Sequence, residues 1–393
     1  MKYCIFIMDG SSGWPIDELG GRTTLEAAHT PNLDWLAQHG FVGQAVTVPA
    51  EMEASSAIAC MSILGYDPRR FFTGRGPIEA TSMGIDLQPG EAAFRCNVLH
   101  VAGGRVVDYS SGQIPSAESR PLVEAVAAEL GSAQVHFYPG VSYRHICVIR
   151  GIPEVLQARC IPPHNIPGQP LAKSVPRGPG SEFLRDLMER SRPILENHPI
   201  NQARQERGDR PANMIWLFWG GASAPDMPSF EETFGLRGAI SSGVDLLGGL
   251  GKLVGLDVLE IAGVTDGSDN DYRAQVEGCL AALDDHDLVI AHVEAPDEEG
   301  HAGNVPGKIE AIGRIDADMV SRLRAYPNDL RLLVMPDHAT PIGKRTHVHD
   351  PAPFLMHGPG ISLQPASAFN ERECAEAMPE PRRGDHLLRD LQD

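Results

Sequence analysis

The chain has 393 residues, 42% of them apolar and 22% charged, which suits a folded globule too long for one ordinary core and excludes a disordered or fibrous chain. Its 33 basic residues stand against 52 acidic ones, a net charge of -19 that opposes binding by counterion release, so neither nucleic acid nor an anionic membrane is expected as a partner. An anionic substrate would have to be drawn in by local cations or bound metal rather than by the overall field.

In chain order, the apolar run 3–8 stops at Asp9-Gly10 without a cleavage-site pattern, so it reads as a buried first strand and not a signal peptide. Thr30-Pro31 introduces a helix over 32–39. From about 88 to 204 the pattern changes: strand-like segments over 92–101 and 135–150 surround a strong helix at 116–130, which reads as an inserted α+β domain. The proline- and glycine-rich run 161–180 reads as an ordered loop. Beyond it, strands are expected over 214–219, 253–261, 288–293 and 330–335, with helices over 271–283 and about 385–391.

Apolar runs alternating with helical patterns describe an α/β fold, a mostly parallel sheet with helices on both faces. The expected division is a discontinuous catalytic domain, 1–87 with 205–393, and an inserted substrate-binding or lid domain, 88–204. The longest apolar runs have six residues, as at 214–219, against the roughly 20 that a bilayer span requires, so no transmembrane helix is expected. Seven cysteines, odd in number and without a CxxC pair, fit reduced thiols in a cytoplasm; Cys60 reads as a small buried apolar residue.

Three of the expected strands end in polar clusters: Asp9, then Glu294 to His301, then Asp337-His338. Ligands collect outside the carboxyl ends of such strands. Asp297 and His301 four apart, the pair Asp337-His338, and His347 further on offer oxygen and nitrogen donors suited to two divalent ions. One Asp-His pair alone is weak, because histidine packs or caps more often than it ligates. Several such clusters at strand ends carry more weight.

With Met8-Asp-Gly10, Leu64-Gly-Tyr-Asp-Pro68, Thr73-Gly-Arg-Gly-Pro77, Phe137-Tyr-Pro-Gly-Val-Ser-Tyr-Arg-His145 and Pro336-Asp-His338, the sequence resembles the cofactor-independent phosphoglycerate mutases of archaeal type, in the alkaline phosphatase superfamily. The run from Arg345 to Phe354 is similar to a bacterial branch proposed to act as homoserine kinases. The resemblance implies an alkaline-phosphatase-like sheet between helices and two manganese-type sites, one held by Asp9, Ser56, Asp337 and His338, the other by Asp297, His301 and His347. Such donors also accept zinc, magnesium or cobalt. It places the nucleophile on Ser56, nine residues before Gly65, with Ser55 as the local rival. A metal is what makes a serine hydroxyl nucleophilic at neutral pH.

The inserted domain would grip a small phosphorylated carboxylic acid and close over the metals, with Arg144, His145 and His164 as candidates. Arg144 reads equally well as an ion-pairing residue. The glycines beside Arg75 allow either close approach to an anion or a tight turn. Four stretches depart from the family pattern: Ser55-Ser56-Ala57 lacks the usual glycine and acid, Asn165 replaces an aspartate, Gly221-Ala222 replaces Gln-Gly, and Gly263-Val-Thr-Asp266 stands for Gly-Ala-Thr-Gly. The expected activity is interconversion of 3- and 2-phosphoglycerate through a phosphoserine. The alternatives are a phosphotransferase or phosphatase acting on another small phosphorylated acid or amino acid, and a catalytically inactive metal-binding homologue.

Overall fold

The computed structural model describes residues 1–223 and 227–393, and its chain separates into two compact units, Met1–Phe72 with Asp226–Asp393, and Thr73–Pro225. The first unit is built on an eight-stranded sheet in the order Arg382–Arg383, Phe41–Val46, Ala352–His357, Leu330–Met335, Lys2–Met8, Leu288–Val293, Gly238–Ser241, Asp257–Val258. Lys2–Met8 is parallel to both its neighbours, and only Ala352–His357 runs against the strands on either side. The expected α/β class and mostly parallel sheet are therefore observed. Residues such as Phe6, Val289 and Leu332 pack with Leu33, Val276, Ile312 and Met319 of flanking helices. Burial on both sides is why these strands read as unbroken apolar runs.

Register is what assembles the site. Met8 pairs with Val293 and Ile7 with Met335, so the next residues along these strands bring Asp9 level with Glu294 on one side and Asp337 on the other. Three carboxylates thus leave adjacent strands together.

The second unit is a separate antiparallel sheet in which Glu91–Ala102 pairs with Arg105–Asp108, Arg144–Arg150 and Met214–Ala222. Val135–Tyr138 adds to the far side of Arg144–Arg150, and the helices Ser116–Leu130 and Ser181–Glu196 share the core with Cys96, Leu99 and Trp216.

Several expectations are corrected. The strand at 214–219 runs to Ala222 and belongs to this antiparallel sheet, not the parallel one. The run 253–261 is a helix end followed by the two-residue strand Asp257–Val258; the strand beside Leu288–Val293 is Gly238–Ser241, too short to show in the pattern. Helix Arg75–Ser82 packs on Glu91–Ala102 and Met214–Ala222, so the division of the chain falls at 72/73 rather than near 87, and beyond 222 rather than near 204. Among the described residues no helix is long and apolar enough to cross a membrane, and all seven cysteines are free thiols.

Candidate metal centre

Helix Ala295–Ala302 starts one residue after strand Leu288–Val293, and its pitch puts Asp297 and His301 on one face, with His301 Nε2 3.0 Å from Asp297 Oδ2. His347, on the loop before strand Ala352–His357, turns Nε2 to the same point, 3.5 Å from Asp297 Oδ2 and 2.9 Å from His301 Nε2. The outer ring nitrogens are held by carbonyls: His301 Nδ1 by Arg345 at 3.0 Å, His347 Nδ1 by Ala54 at 3.3 Å. Two imidazoles anchored from behind and aimed at one carboxylate have the form of a ligand set with its supporting shell. Thr340 donates its hydroxyl to Asp297 Oδ1. Gly10 has φ +58°, and a Cβ there would collide with Asp297, so glycine beside Asp9 is what lets the two carboxylates approach.

The second donor set lies alongside. His338 Nε2 is 3.1 Å from Ser56 Oγ, 3.2 Å from Asp337 Oδ2 and 3.7 Å from Asp9 Oδ1, and its ring stacks on His347 at 3.9 Å. Asp9, Asp337 and His338 are fully buried, yet Asp9 Oδ1 has no hydrogen-bond partner. An orphaned buried carboxylate oxygen facing a histidine nitrogen is a strong indication that a cation belongs there. Ser56 is the first residue of helix Ser56–Ile63, whereas Ser55 is its extended N-cap and makes no capping hydrogen bond. Of the two serines, Ser56 is the one with its hydroxyl on the donor set.

The electrostatics follow from burial and pairing. Burial, reinforced by Asp337 and Glu294, pushes Asp9 well above the usual carboxylate range, and burial drives Glu294 up to about 8. Burial works upward on Asp297 too, but His301 and His347 outweigh it and hold this carboxylate well below its ordinary value. The hydrogen bond to Asp297 lifts His301 to about 9, while burial pushes His338 down. Lys308, with no exposed surface, donates to the carbonyls of Ser12 at 3.2 Å and Thr340 at 2.8 Å, and so ties together the loops that follow Asp9 and His338. Burial lowers it to about 8.

In the second unit Arg75, His164 and Arg144 lie along one string of rings. Arg75 stacks on Trp219 at 4.2 Å, Trp219 meets His164 at 5.4 Å, His164 meets Tyr109 at 6.2 Å, Tyr109 meets Tyr143 at 5.7 Å, and Arg144 reaches the Tyr143 ring at 5.9 Å. Trp219 is held at φ +49°, a strained conformation for a bulky residue. Arg75 opens a helix rather than lying in a loop, and its Nε donates to Glu79 at 2.7 Å. His145 stands apart: it is 1% exposed, accepts the Gly140 amide on Nδ1, and strand alternation turns it to the face opposite Arg144. Burial, with Arg95 and Arg120 adding to it, lowers it to about 3, so it is a neutral strut of the turn before Arg144, not a group offered to substrate.

Sequence reasoning passed over Arg95, which pairs with the buried Glu79 and reaches Asn97 Oδ1 at 3.1 Å, and over His292, whose Nε2 lies 2.8 Å from Asp9 Oδ2. Arg95 sits in a strand with no motif around it. His292 is one polar residue inside an apolar run, a signal that marks a buried partner without saying for what.

The family model for 2,3-bisphosphoglycerate-independent phosphoglycerate mutase matches residues 37–201. A relative of that name from Methanothrix thermoacetophila is 44% identical over 393 residues, 99% of each chain, and a probable one from Geobacter sulfurreducens is 43% identical over 96% of each. Among solved structures, the cofactor-independent phosphoglycerate mutase of Thermoplasma acidophilum matches with a TM-score of 0.69 and 28% identity over 100% of this chain and 99% of that one; a protein of Pyrococcus horikoshii reaches 0.83 at 27%, covering 100% and 96%. On this likeness over its full length, the chain belongs to the 2,3-bisphosphoglycerate-independent phosphoglycerate mutase family.

Proposed function

We propose that this chain interconverts 3- and 2-phosphoglycerate, with Ser56 carrying the phosphoryl group between the two hydroxyls. The observation that carries the reading is the convergence of two donor sets, Asp297/His301/His347 and Asp9/Asp337/His338, with the Ser56 hydroxyl on the second. The donors fit two divalent ions, manganese first and zinc, magnesium or cobalt as alternatives; such ions lower the pKa of a serine hydroxyl and offset the charge of a transferring phosphoryl group.

The protein's own groups do the rest. As the P–O bond to the substrate oxygen breaks, a bond from phosphorus to Ser56 Oγ forms, and the proton that Oγ gives up matches the one that the departing alkoxide takes. The acceptor hydroxyl then reverses both changes. Asp297, fixed by Thr340 and by its two histidines, and Asp9, fixed by His292, hold the cation-binding edge rigid through both half-reactions. Arg75 and Arg144, whose guanidinium groups lie over the Trp219 and Tyr143 rings, are the candidate groups for the substrate's anionic ends.

Phosphorus NMR of metal-loaded protein with 3-phosphoglycerate tests the reading: a growing 2-phosphoglycerate signal is expected, and Ser56→Ala should abolish it, a loss on the order of 10^5-fold or more. Ser55→Ala should be mild. A mutase signal that survives Ser56→Ala overturns the phosphoserine. The altered loops at Ser55-Ser56-Ala57, Asn165 and Gly221-Ala222 favour a second reading, transfer or hydrolysis on another small phosphorylated acid. Free phosphate, or no change with 3-phosphoglycerate, would select it.

A further inference from the structure

The chain that leads into Ser56 lacks the local bonds that usually fix such an entry. Ser55, the extended N-cap of helix Ser56–Ile63, makes no capping hydrogen bond. Met52 N donates to Pro49 O at 3.0 Å and Ser55 O accepts from Ile58 and Ala59, but between those two atoms no backbone-to-backbone hydrogen bond among the described residues holds the segment. Two imidazoles take their place. His349 Nε2 donates to Met52 O at 2.7 Å, and His347 Nδ1 donates to Ala54 O at 3.3 Å. Val348 between them forms a β-bridge with Ala339, so both rings leave the chain on one side, toward carbonyls that are themselves two residues apart.

The stretch that carries these histidines is tied down at other points. Val348 N donates to Ala339 O at 3.1 Å, one residue past His338, and Arg345 O accepts from His301. Asp350 Oδ2 accepts from Trp14 Nε1 at 2.8 Å, on the loop that follows Asp9. The strap thus meets the chain beside each cluster of ion-binding donors as well as the chain before the nucleophile position. Its two imidazoles divide the work. His347 also turns Nε2 to Asp297 and counts among the ion-binding donors, whereas His349 is exposed and, among the described residues, hydrogen-bonds only Met52.

We propose that His349 is a positioning residue for phosphoryl transfer: by holding the Met52 carbonyl it fixes the path of the chain into Ser56, and so the place of the Ser56 hydroxyl relative to the donors around His338. The proposal rests on the phosphoserine reading above. In-line attack tolerates little error in that place, since a displacement of about 1 Å can cost on the order of 100-fold in rate. A loosened segment still visits the right position, so a smaller loss is expected here.

The test uses the full-length, manganese-loaded protein. His349→Ala is expected to lower kcat for 3-phosphoglycerate about tenfold while KM and ion affinity stay within about twofold, and His349→Gln, whose side-chain amide can donate from nearly the same place, to restore most of the rate. In ion-free protein, amide exchange over 53–56 should rise in His349→Ala and not in His349→Gln, a readout independent of turnover. Unchanged kcat or unchanged exchange in His349→Ala, or a glutamine variant as slow as the alanine one, overturns the role. A rise in KM or a loss of ion affinity as large as the loss in kcat overturns it too, because that marks a strap that merely holds the fold. Unaltered protein that yields no 2-phosphoglycerate overturns the mutase reading itself, and no variant is needed to see it.

Discussion

The first unit gathers carboxylates and imidazoles at the carboxyl edge of a parallel sheet, whereas the second spreads arginines and aromatic rings over an antiparallel one. Their histidines show the difference. In the first unit His301 and His347 share Asp297 and are pushed upward in pKa, His301 to about 9, although burial opposes the shift at His347; His292 and His338, deeper in, are pushed down by burial. In the second unit His164 and His145 are lowered by burial, and the charges that face them are Arg75 and Arg95 for one, Arg95 and Arg120 for the other. The first unit's histidines face carboxylates, whereas the second unit's face arginines.

The largest effect that can break this comparison is expected at Asp297. Asp297→Ala removes the carboxylate that both His301 and His347 address, so ion affinity should fall by more than about 100-fold and turnover by roughly 10^3-fold. Hydrogen exchange over Glu91–Ala102, in the other unit, should not change. Loss of protection there would mean that the cation edge and the antiparallel sheet stabilise each other. Ion affinity of the unaltered protein should also climb with pH, because the ion must displace a proton that His301 holds up to about pH 9.

A second break is expected at Arg95. Its partner Glu79 is 7% exposed and kept ionised, against the pull of burial, by Arg95 and Arg75 together. Arg95→Ala leaves half that support and should cost about 3 kcal/mol in denaturant unfolding of the second unit. Adding Glu79→Gln should recover most of it. If the single variant is as stable as the parent, Arg75 alone satisfies Glu79, and Arg95 is available as a further anion-binding group.

How much of this is legible in the sequence depends on whether a residue's role is local. Asp9, Asp297, His301, Asp337 and His338 stand at the ends of apolar runs, so their shared edge follows from the strand pattern alone. Ser116–Leu130 is a helix with the expected bounds because its amphipathic period is complete. The run at 214–219 misleads for a physical reason: helix Ser181–Glu196 covers one face and helix Arg75–Ser82 also packs on it, so an antiparallel strand acquires the unbroken apolar pattern of a parallel one. The same packing moves the division of the chain to 72/73. Glu294 is hidden in an acidic run and His292 in an apolar one. Only the register between Lys2–Met8 and Leu288–Val293 shows that both meet Asp9.

A smaller change is expected at Arg144, which is half-buried and stacked on Tyr143. Arg144→Ala should raise the KM for 3-phosphoglycerate about tenfold, the loss of one charged hydrogen bond of ~1.5 kcal/mol. It should also increase the share of turnovers that end in free phosphate, because water and the acceptor hydroxyl compete for the phosphoserine. If transfer and hydrolysis fall in equal proportion, Arg144 serves binding alone.

The last change concerns acid. An unfolded histidine takes up a proton near pH 6.5, whereas His145 in the folded unit holds off until about pH 3. Between these values the unfolded chain binds more protons than the folded one, so stability falls as pH falls, by up to about 1.4 kcal/mol per unit for this group. His145→Gln keeps an acceptor for the Gly140 amide but has nothing to titrate. It should therefore flatten the acid limb of the second unit's stability curve between pH 6 and 4 while leaving neutral stability within about 1 kcal/mol. The ion-free first unit should show the reverse sense at His301. With its folded value raised to about 9, the stability that the His301–Asp297 pair supplies is complete below pH 6.5 and is lost as pH rises through 9. Unfolding followed by probes in each sheet, in chelator across pH 4 to 9, should thus give limbs of opposite slope, and parallel limbs would mean that the two histidines do not govern their units.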